Sequence, residues 1–293
     1  MTMKPFIPVK SDIIFRLFFA DERNREFLLA LLKSLLRLPD EDFDQIEIAD
    51  PLLLPEFDGD KQSIVDVKLY TKSRKIIHIE IQLRVSSTLR NRIVLYGAKL
   101  IAEQIGSGQE YDAIQKVISI VILDSNLIHE SDKYHHRFVW YDPSAGVSFT
   151  DIQEIHTLEL KKLPQNADGT ELYDWAQFIA AESDEDLDRV SNRNREVGKA
   201  VNRYRELTAE EQTRNIFERR EKARRDQAAL EKDAREEGLR QGLQQGLQQG
   251  LQQGTLQEKY AIARNLLKIP LSINQIASTT GLTPDEIETL KNA

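Results

Sequence analysis

The chain contains no cysteine, which excludes disulfides, thiol catalysis and cysteine-ligated zinc. No apolar run approaches the ~18 residues of a membrane span, and the first residues, MTMKPFIPVK, lack a signal-peptide apolar segment. A cytoplasmic protein without a membrane partner is the expectation. Also missing are a Ser-His-Asp order, a phosphate-binding glycine loop and a dinucleotide fingerprint. His135, His136 and His156 are too scattered for a metal pattern and read as surface or core residues.

What is present is charge, unevenly placed. Charged residues make up 30% of the 293, and the net charge of −8 argues against a general nucleic-acid coat. Its distribution argues the other way. Residues 1–60 hold seven basic and thirteen acidic side chains, whereas 61–99 hold nine basic residues against only Asp66 and Glu80. A basic segment around two acids suits a metal-dependent phosphodiesterase, because backbone phosphates supply most of the electrostatic binding energy. A solvated charged face is the bland alternative, although such faces usually mix signs.

The acids lie in a stretch, Ser63 to Leu83, that reads as two strands rich in β-branched residues around the basic turn Thr71-Lys-Ser-Arg-Lys75. Alternation puts His78, Glu80 and Gln82 on one face and Ile77, Ile79, Ile81 and Leu83 on the other, which is core. A turn centred on Ser73 sets Asp66 opposite Glu80. Two facing carboxylates repel unless a cation or a shared proton joins them, and Mg²⁺, a hard ion taking oxygen ligands and waters, suits such a pair. Alternatively, one carboxylate sits at a solvated edge beside Lys68 or Lys72.

Asp66, a dozen residues and then Glu80-Ile81-Gln82 on the next strand resemble the core of the PD-(D/E)XK nuclease superfamily. More narrowly, the chain resembles the bacterial recombination-promoting nuclease or putative transposase family, in which the third motif residue is commonly glutamine. Ser11-Asp12-Ile-Ile-Phe15-Arg16-Leu-Phe18, Ile118 to Asp124, Leu158-Glu-Leu160 and the glycine-repeat tail ending in Thr280-Gly281-Leu282 extend the resemblance over nearly the whole chain.

The resemblance implies an α/β, restriction-endonuclease-like core, a mixed sheet flanked by helices, with a C-terminal helical extension. It implies a DNA endonuclease using Mg²⁺, or Mn²⁺ in its place, linked to recombination or mobile elements. Asp66, Glu80 and the Ile81 carbonyl would hold the metal, and Gln82 would orient the water or phosphate. Lys68, Lys72, Arg84, Arg90 and Arg92 are expected on DNA. Asp12 reads first as a helix cap and, through the resemblance, as an accessory residue; Tyr96, one turn after Arg92, is a second. The alternative function is a non-catalytic, DNA-binding or oligomerising protein on a degenerate nuclease fold.

In chain order, helices are expected over 12–19 and 23–37, the second closed by Pro39, then a strand over 44–54. Glu56, Asp58 and Asp60 read as turn chemistry. A helix from Ser86 or Ser87 to about Ile105, a buried strand over 116–123 and strands near Phe138 to Tyr141 and Ile152 to Leu160 complete a domain over 1–183. Residues 184–257 read as long exposed helices holding a Gly-Leu-Gln-Gln repeat from Gly238 to Gly254. Its period of four makes drifting leucine and glycine stripes, read first as a homo-oligomerising helix and second as a flexible linker. Residues 258–293 read as a small three-helix module whose acidic last helix suits packing better than a DNA groove.

Overall fold

The structure, a computed structural model, describes residues 5–49, 52–53, 63–64, 67–106 and 108–292. Asp66, the expected partner of Glu80, lies outside the described residues, as do Glu56, Asp58 and Asp60. Two compact units are present, Met1–Arg220 and Glu221–Ala293.

The first unit is built on a mixed six-stranded sheet flanked by helices. Its strands are β1 (Glu47–Ala49), β4 (Val67–Tyr70), β5 (Ile76–Gln82), β6 (Val117–Leu123), β8 (Val147–Glu159) and β7 (His135–Asp142), in that spatial order. A separate antiparallel pair joins β2 (Leu52–Leu53) to β3 (Ser63–Ile64). Strands β5, β6 and β8 run parallel, and the remaining neighbours are antiparallel. The central run Val117–Leu123, β-branched apart from Ser119 and Leu123, is buried throughout, as a strand between covered faces should be.

Ile77, Ile79 and Ile81 share the main core with Ile118, Ile120, Ile122 and Leu158. Against that face pack α1 (Asp12–Phe19), through Ile14, Phe15, Phe18 and Phe19, and α2 (Arg25–Leu35), through the Phe27, Leu28, Leu31, Leu32 and Leu35 stripe. The second helix starts later than expected because a short 3-10 turn over Glu22–Asn24, capped by Asp21, precedes it. On the opposite face lies α3 (Leu89–Ala102), whose Leu89 and Ile93 meet Val121 and Leu123 while Leu100 meets Ile76 and Val117. Gly97 is its point of closest approach, since a Cβ there would meet the Gln153 amide and lie 3.2 Å from Ser119 Oγ.

Helix α4 (Glu171–Ala180) closes the expected domain, whereas α5 (Asp184–Arg193) and α6 (Arg195–Ala209) differ from the exposed extension expected after 183. Leu187, Val190, Val197, Ala200, Val201, Tyr204 and Leu207 belong to the main core, with the Tyr204 ring 5.9 Å from Phe178 and 6.3 Å from Phe18. The physical reason is periodicity hidden under composition. Positions 197, 200, 201, 204 and 207 fall on one helical stripe although most of their neighbours are charged.

Helix α7 (Glu211–Leu266) carries the repeat as continuous helix. In the second unit its end packs with α8 (Ile273–Thr280) and α9 (Pro284–Asn292) around Ala263, Ile276, Leu282 and Ile287. Ser272 and Gln275 form a capping box, and Gly281 stops α8 at φ 67°, a left-handed conformation that glycine adopts without a Cβ clash. Among the described residues, no helix is long and apolar enough to cross a membrane.

Candidate functional site

The β4–β5 hairpin has the pairing that a turn centred on Ser73 requires. Val67 faces Ile79, Lys68 faces His78 and Tyr70 faces Ile76, with Arg74 at φ 64° in the turn. The face of β5 turned towards α3 carries His78 and Glu80, both buried, and the half-buried Gln82.

Glu80 is 4% exposed on this face. Its Oε1 accepts hydrogen bonds from Gln82 Nε2 at 2.6 Å and from Arg92 Nη2 at 2.9 Å. Its Oε2 is buried without a hydrogen-bond partner among the described residues. Burial pushes the carboxyl above its ordinary value, and the Arg92 and Gln82 contacts pull against it without prevailing. Arg92 reaches this carboxylate from α3 with its guanidinium carbon 5.9 Å from the Tyr96 ring centre, so Arg92 and Tyr96, one turn apart, form a single unit.

Behind Glu80, His78 Nε2 and Ser119 Oγ are 2.5 Å apart. Burial, and secondarily the charge of Lys68, lowers the imidazole to about 4, so it is neutral at pH 7. The face therefore combines a buried carboxylate with one open oxygen, a neutral histidine behind it and a guanidinium in front. An orphaned, hard, anionic oxygen in a buried position fits a divalent cation, which would satisfy it where water cannot.

The other expected contacts disperse. Lys72 lies in the turn, across the length of β5 from Gln82, ~20 Å of strand, and pairs with Asp44 at 3.3 Å. Arg90 donates to the Leu127 carbonyl at 2.7 Å and lies 3.8 Å from Glu130. Lys68 is 4.0 Å from Glu103 and over the Tyr70 ring. Arg84 is exposed just beyond Gln82. The basic segment 61–99 is also laid against the acidic one before it, since Lys75 meets Asp42 at 2.8 Å and Arg74 meets Glu47 at 3.5 Å. Much of the local charge excess read from the sequence is thus neutralised by folding.

Asp12 is the first residue inside α1, not its cap, which is Ser11. Its Oδ2 accepts from Arg220 Nε at 3.0 Å and Nη2 at 2.6 Å. Ile81 turns its side chain into the main core.

Sequence reasoning missed two clusters. Lys10, 7% exposed, sits 2.9 Å from Asp124 and 2.6 Å from Glu182, while Lys161 lies 3.3 Å from Asp124. The Asp124 backbone N–H donates to the Gln82 carbonyl at 3.0 Å, which places this cluster at the carboxyl end of β5 and β6. Burial works to lower Lys10, but the two carboxylates outweigh it and the ammonium is held above its ordinary value. Nothing local in the sequence signals a contact spanning more than 100 residues. The histidines, expected to be separate, also meet: His135 Nε2 is 2.9 Å from His156 Nδ1, and His156 Nε2 is 2.7 Å from Glu154. Antiparallel pairing of β7 with β8 brings them together. Still, no group of three or more His, Asp or Glu among the described residues is arranged to hold a metal ion.

No curated protein and no solved structure matches the chain. A family model described as PD-(D/E)XK nuclease family transposase matches residues 9–234. That span runs from Val9 through the whole sheet, the buried Glu80 and the helices that close the core, so the chain belongs to the PD-(D/E)XK nuclease family transposases.

Proposed function

We propose that the protein is a divalent-metal-dependent DNA endonuclease acting in recombination or mobile-element chemistry, with Asp66, Glu80 and Gln82 at its centre. At a coarser level, the family supports a nuclease-like or mobile-element function. The observation that carries the finer reading is Glu80: a buried carboxylate with one oxygen clamped by Gln82 and Arg92 and the other without a hydrogen-bond partner among the described residues.

Asp66, Glu80 and the Ile81 carbonyl would hold Mg²⁺, or Mn²⁺ in its place. When bound, such an ion polarises the scissile phosphate and makes its water a better nucleophile near neutral pH. The chain's own residues do the positioning. Gln82 donates to Glu80 Oε1 and fixes the carboxylate, and its amide oxygen can accept a hydrogen bond from the attacking water and so orient it. Arg92 supplies the positive charge that Gln82 cannot, held by Tyr96 and able to bind phosphate as a fork. Arg84, exposed just beyond Gln82, extends the cationic surface past the end of β5. DNA is the partner, and a homo-oligomer through the leucine and glycine stripes of α7 completes the reading.

The test is nicking of supercoiled plasmid with and without Mg²⁺, using wild type beside Asp66→Ala and Glu80→Ala purified identically. Metal-dependent nicking lost in both variants is expected. Nicking that survives in both would overturn the proposal.

One observation favours a second reading, a non-catalytic DNA-binding protein: Arg92 already neutralises Glu80, as a retired metal site would be neutralised. DNA binding indifferent to Mg²⁺, without cleavage of any form of DNA, is its signature.

A further inference from the structure

Strand β8 is thirteen residues long but pairs with β6 only over Gln153–Glu159. Its first part, from Val147, pairs with β7 alone, so the two form an arm of two strands. Burial alternation fails there. Phe138, Val139, Trp140 and Tyr141 are all exposed in succession, at 41–53%, and across the turn Val147 and Phe149 are exposed at 57% and 85%. Consecutive strand residues point to opposite faces, so the arm is apolar on both faces and covered on neither. Phe149 is also the extra residue of a bulge, because Trp140 pairs with Thr150 while Tyr141 pairs with Ser148.

A bare two-stranded ribbon is at best marginally stable in water, and a monomer rarely shows a contiguous aromatic patch of this kind. We propose that the arm is a self-association surface, and that a second copy of this chain covers it with the same arm about a two-fold axis.

Charge selects the occupant. From Phe138 to Thr150 the sequence has no lysine or arginine and one acid, Asp142. Aromatic platforms for single-stranded nucleic acid are set in cationic grooves that track the phosphates, and this arm offers none. Area agrees with a second copy. Taking ~200 Å² for a fully buried aromatic, the exposed parts of Phe138, Trp140, Tyr141 and Phe149 amount to ~450 Å² per copy. Two copies with their valines reach ~1,200 Å², the lower end of a specific interface, when the arms clasp so that both faces of each are covered by the partner copy. β7 is moreover the outer strand of the sheet, so the arm is accessible along its whole length. The exposed aromatics stand on the faces of the arm rather than along its edge, which makes side-chain packing, rather than continuation of the sheet between copies, the mode of contact.

The experiment uses the full chain with Leu243→Glu and Leu247→Glu, which silence the α7 leucine stripe, examined by sedimentation velocity over a dilution series. A dimer is expected. Adding Trp140→Ser and Phe149→Ser should raise its dissociation constant at least ~10-fold with an unchanged circular dichroism spectrum. Val139→Lys with Val147→Lys, a second pair on the same arm, should do the same. Trp175 is fully buried and Trp140 half exposed, so tryptophan emission should shift to the red on dilution with the midpoint of dissociation. A monomer before any arm substitution, or a dimer unaffected by both pairs, would overturn the proposal. So would arm substitutions that abolish DNA binding without changing the mass, because they would assign the aromatics to nucleic acid. None of these outcomes depends on cleavage.

Discussion

Arg92 Nη2 lies 2.9 Å from Glu80 Oε1, and this contact ties helix α3 to strand β5 at a buried carboxylate whose other oxygen has no hydrogen-bond partner among the described residues. Replacing Arg92 by Ala should abolish nicking and lower stability by ~1–2 kcal/mol, less than a fully buried pair because the guanidinium is about a third exposed. The Glu80 carboxyl, already above its ordinary value, should rise further without its counter-charge. Because the folded state then binds the proton more tightly than the unfolded chain, the deficit should shrink as pH falls towards 5. Urea titrations at pH 7 and pH 5 check this, with Arg92→Lys recovering stability better than activity.

Glu80→Gln separates the two roles of the same residue. Removing the charge relieves the burial cost while keeping the shape, so stability at pH 7 should stay within ~1 kcal/mol of wild type. Nicking should nevertheless fall at least ~100-fold, since a neutral amide is a poor ligand for a hard cation. Thermal unfolding and plasmid assays on one preparation read both.

His78 should make the protein acid-sensitive. Its folded value of about 4 lies below its ordinary 6.5, so between those pH values the unfolded chain holds more protons. Stability therefore falls as pH drops through that window, by ~3 kcal/mol from this residue. His135, also lowered to about 4 chiefly by burial, acts in the same sense. Glu80 acts in the opposite one. His78→Asn should remove roughly half of the loss between pH 6.5 and 4.5, read from urea midpoints.

Gly97 tests the seating of α3. Alanine should be nearly neutral, because ~1 kcal/mol of helix propensity offsets displacement of the flexible Gln153 amide. Leucine should cost ~2 kcal/mol or more, since Ser119 and the strand behind it cannot move away. Thermal denaturation of the pair gives the contrast.

In α7, Gly242, Gly246 and Gly250 have nothing within 4 Å of where a Cβ would stand. Substituting all three by Ala should increase helicity by circular dichroism and stabilise the isolated helix by ~1 kcal/mol per glycine. If the glycine stripe is the face of self-association, the same triple variant should associate more weakly, which sedimentation reads directly.

The hairpin and its pairing were legible because β-branched alternation and a five-residue polar turn are local signals, and Lys68 opposite His78 follows from counting outward from Ser73. The apolar run of β6, the stripe of α2 and the caps around Gly281 were legible for the same reason. Exposure after residue 183 was misread because charge content is a bulk property, whereas burial of Val197, Val201 and Tyr204 depends on their angle around a helix. The dispersal of Lys72 and Arg90 was not legible either, since proximity in sequence does not fix which acid lies opposite.

The sequence by itself determined the β4–β5 hairpin, the buried β6 run and the family resemblance, because each rests on spacing along one or two neighbouring elements. Only the tertiary structure decided that Arg92 clamps Glu80, that Lys10 joins Asp124 and Glu182, and that the β7–β8 arm stands uncovered. Those relations arise where segments far apart in the chain meet, and there burial and Coulomb attraction between particular atoms, rather than local propensity, set the outcome.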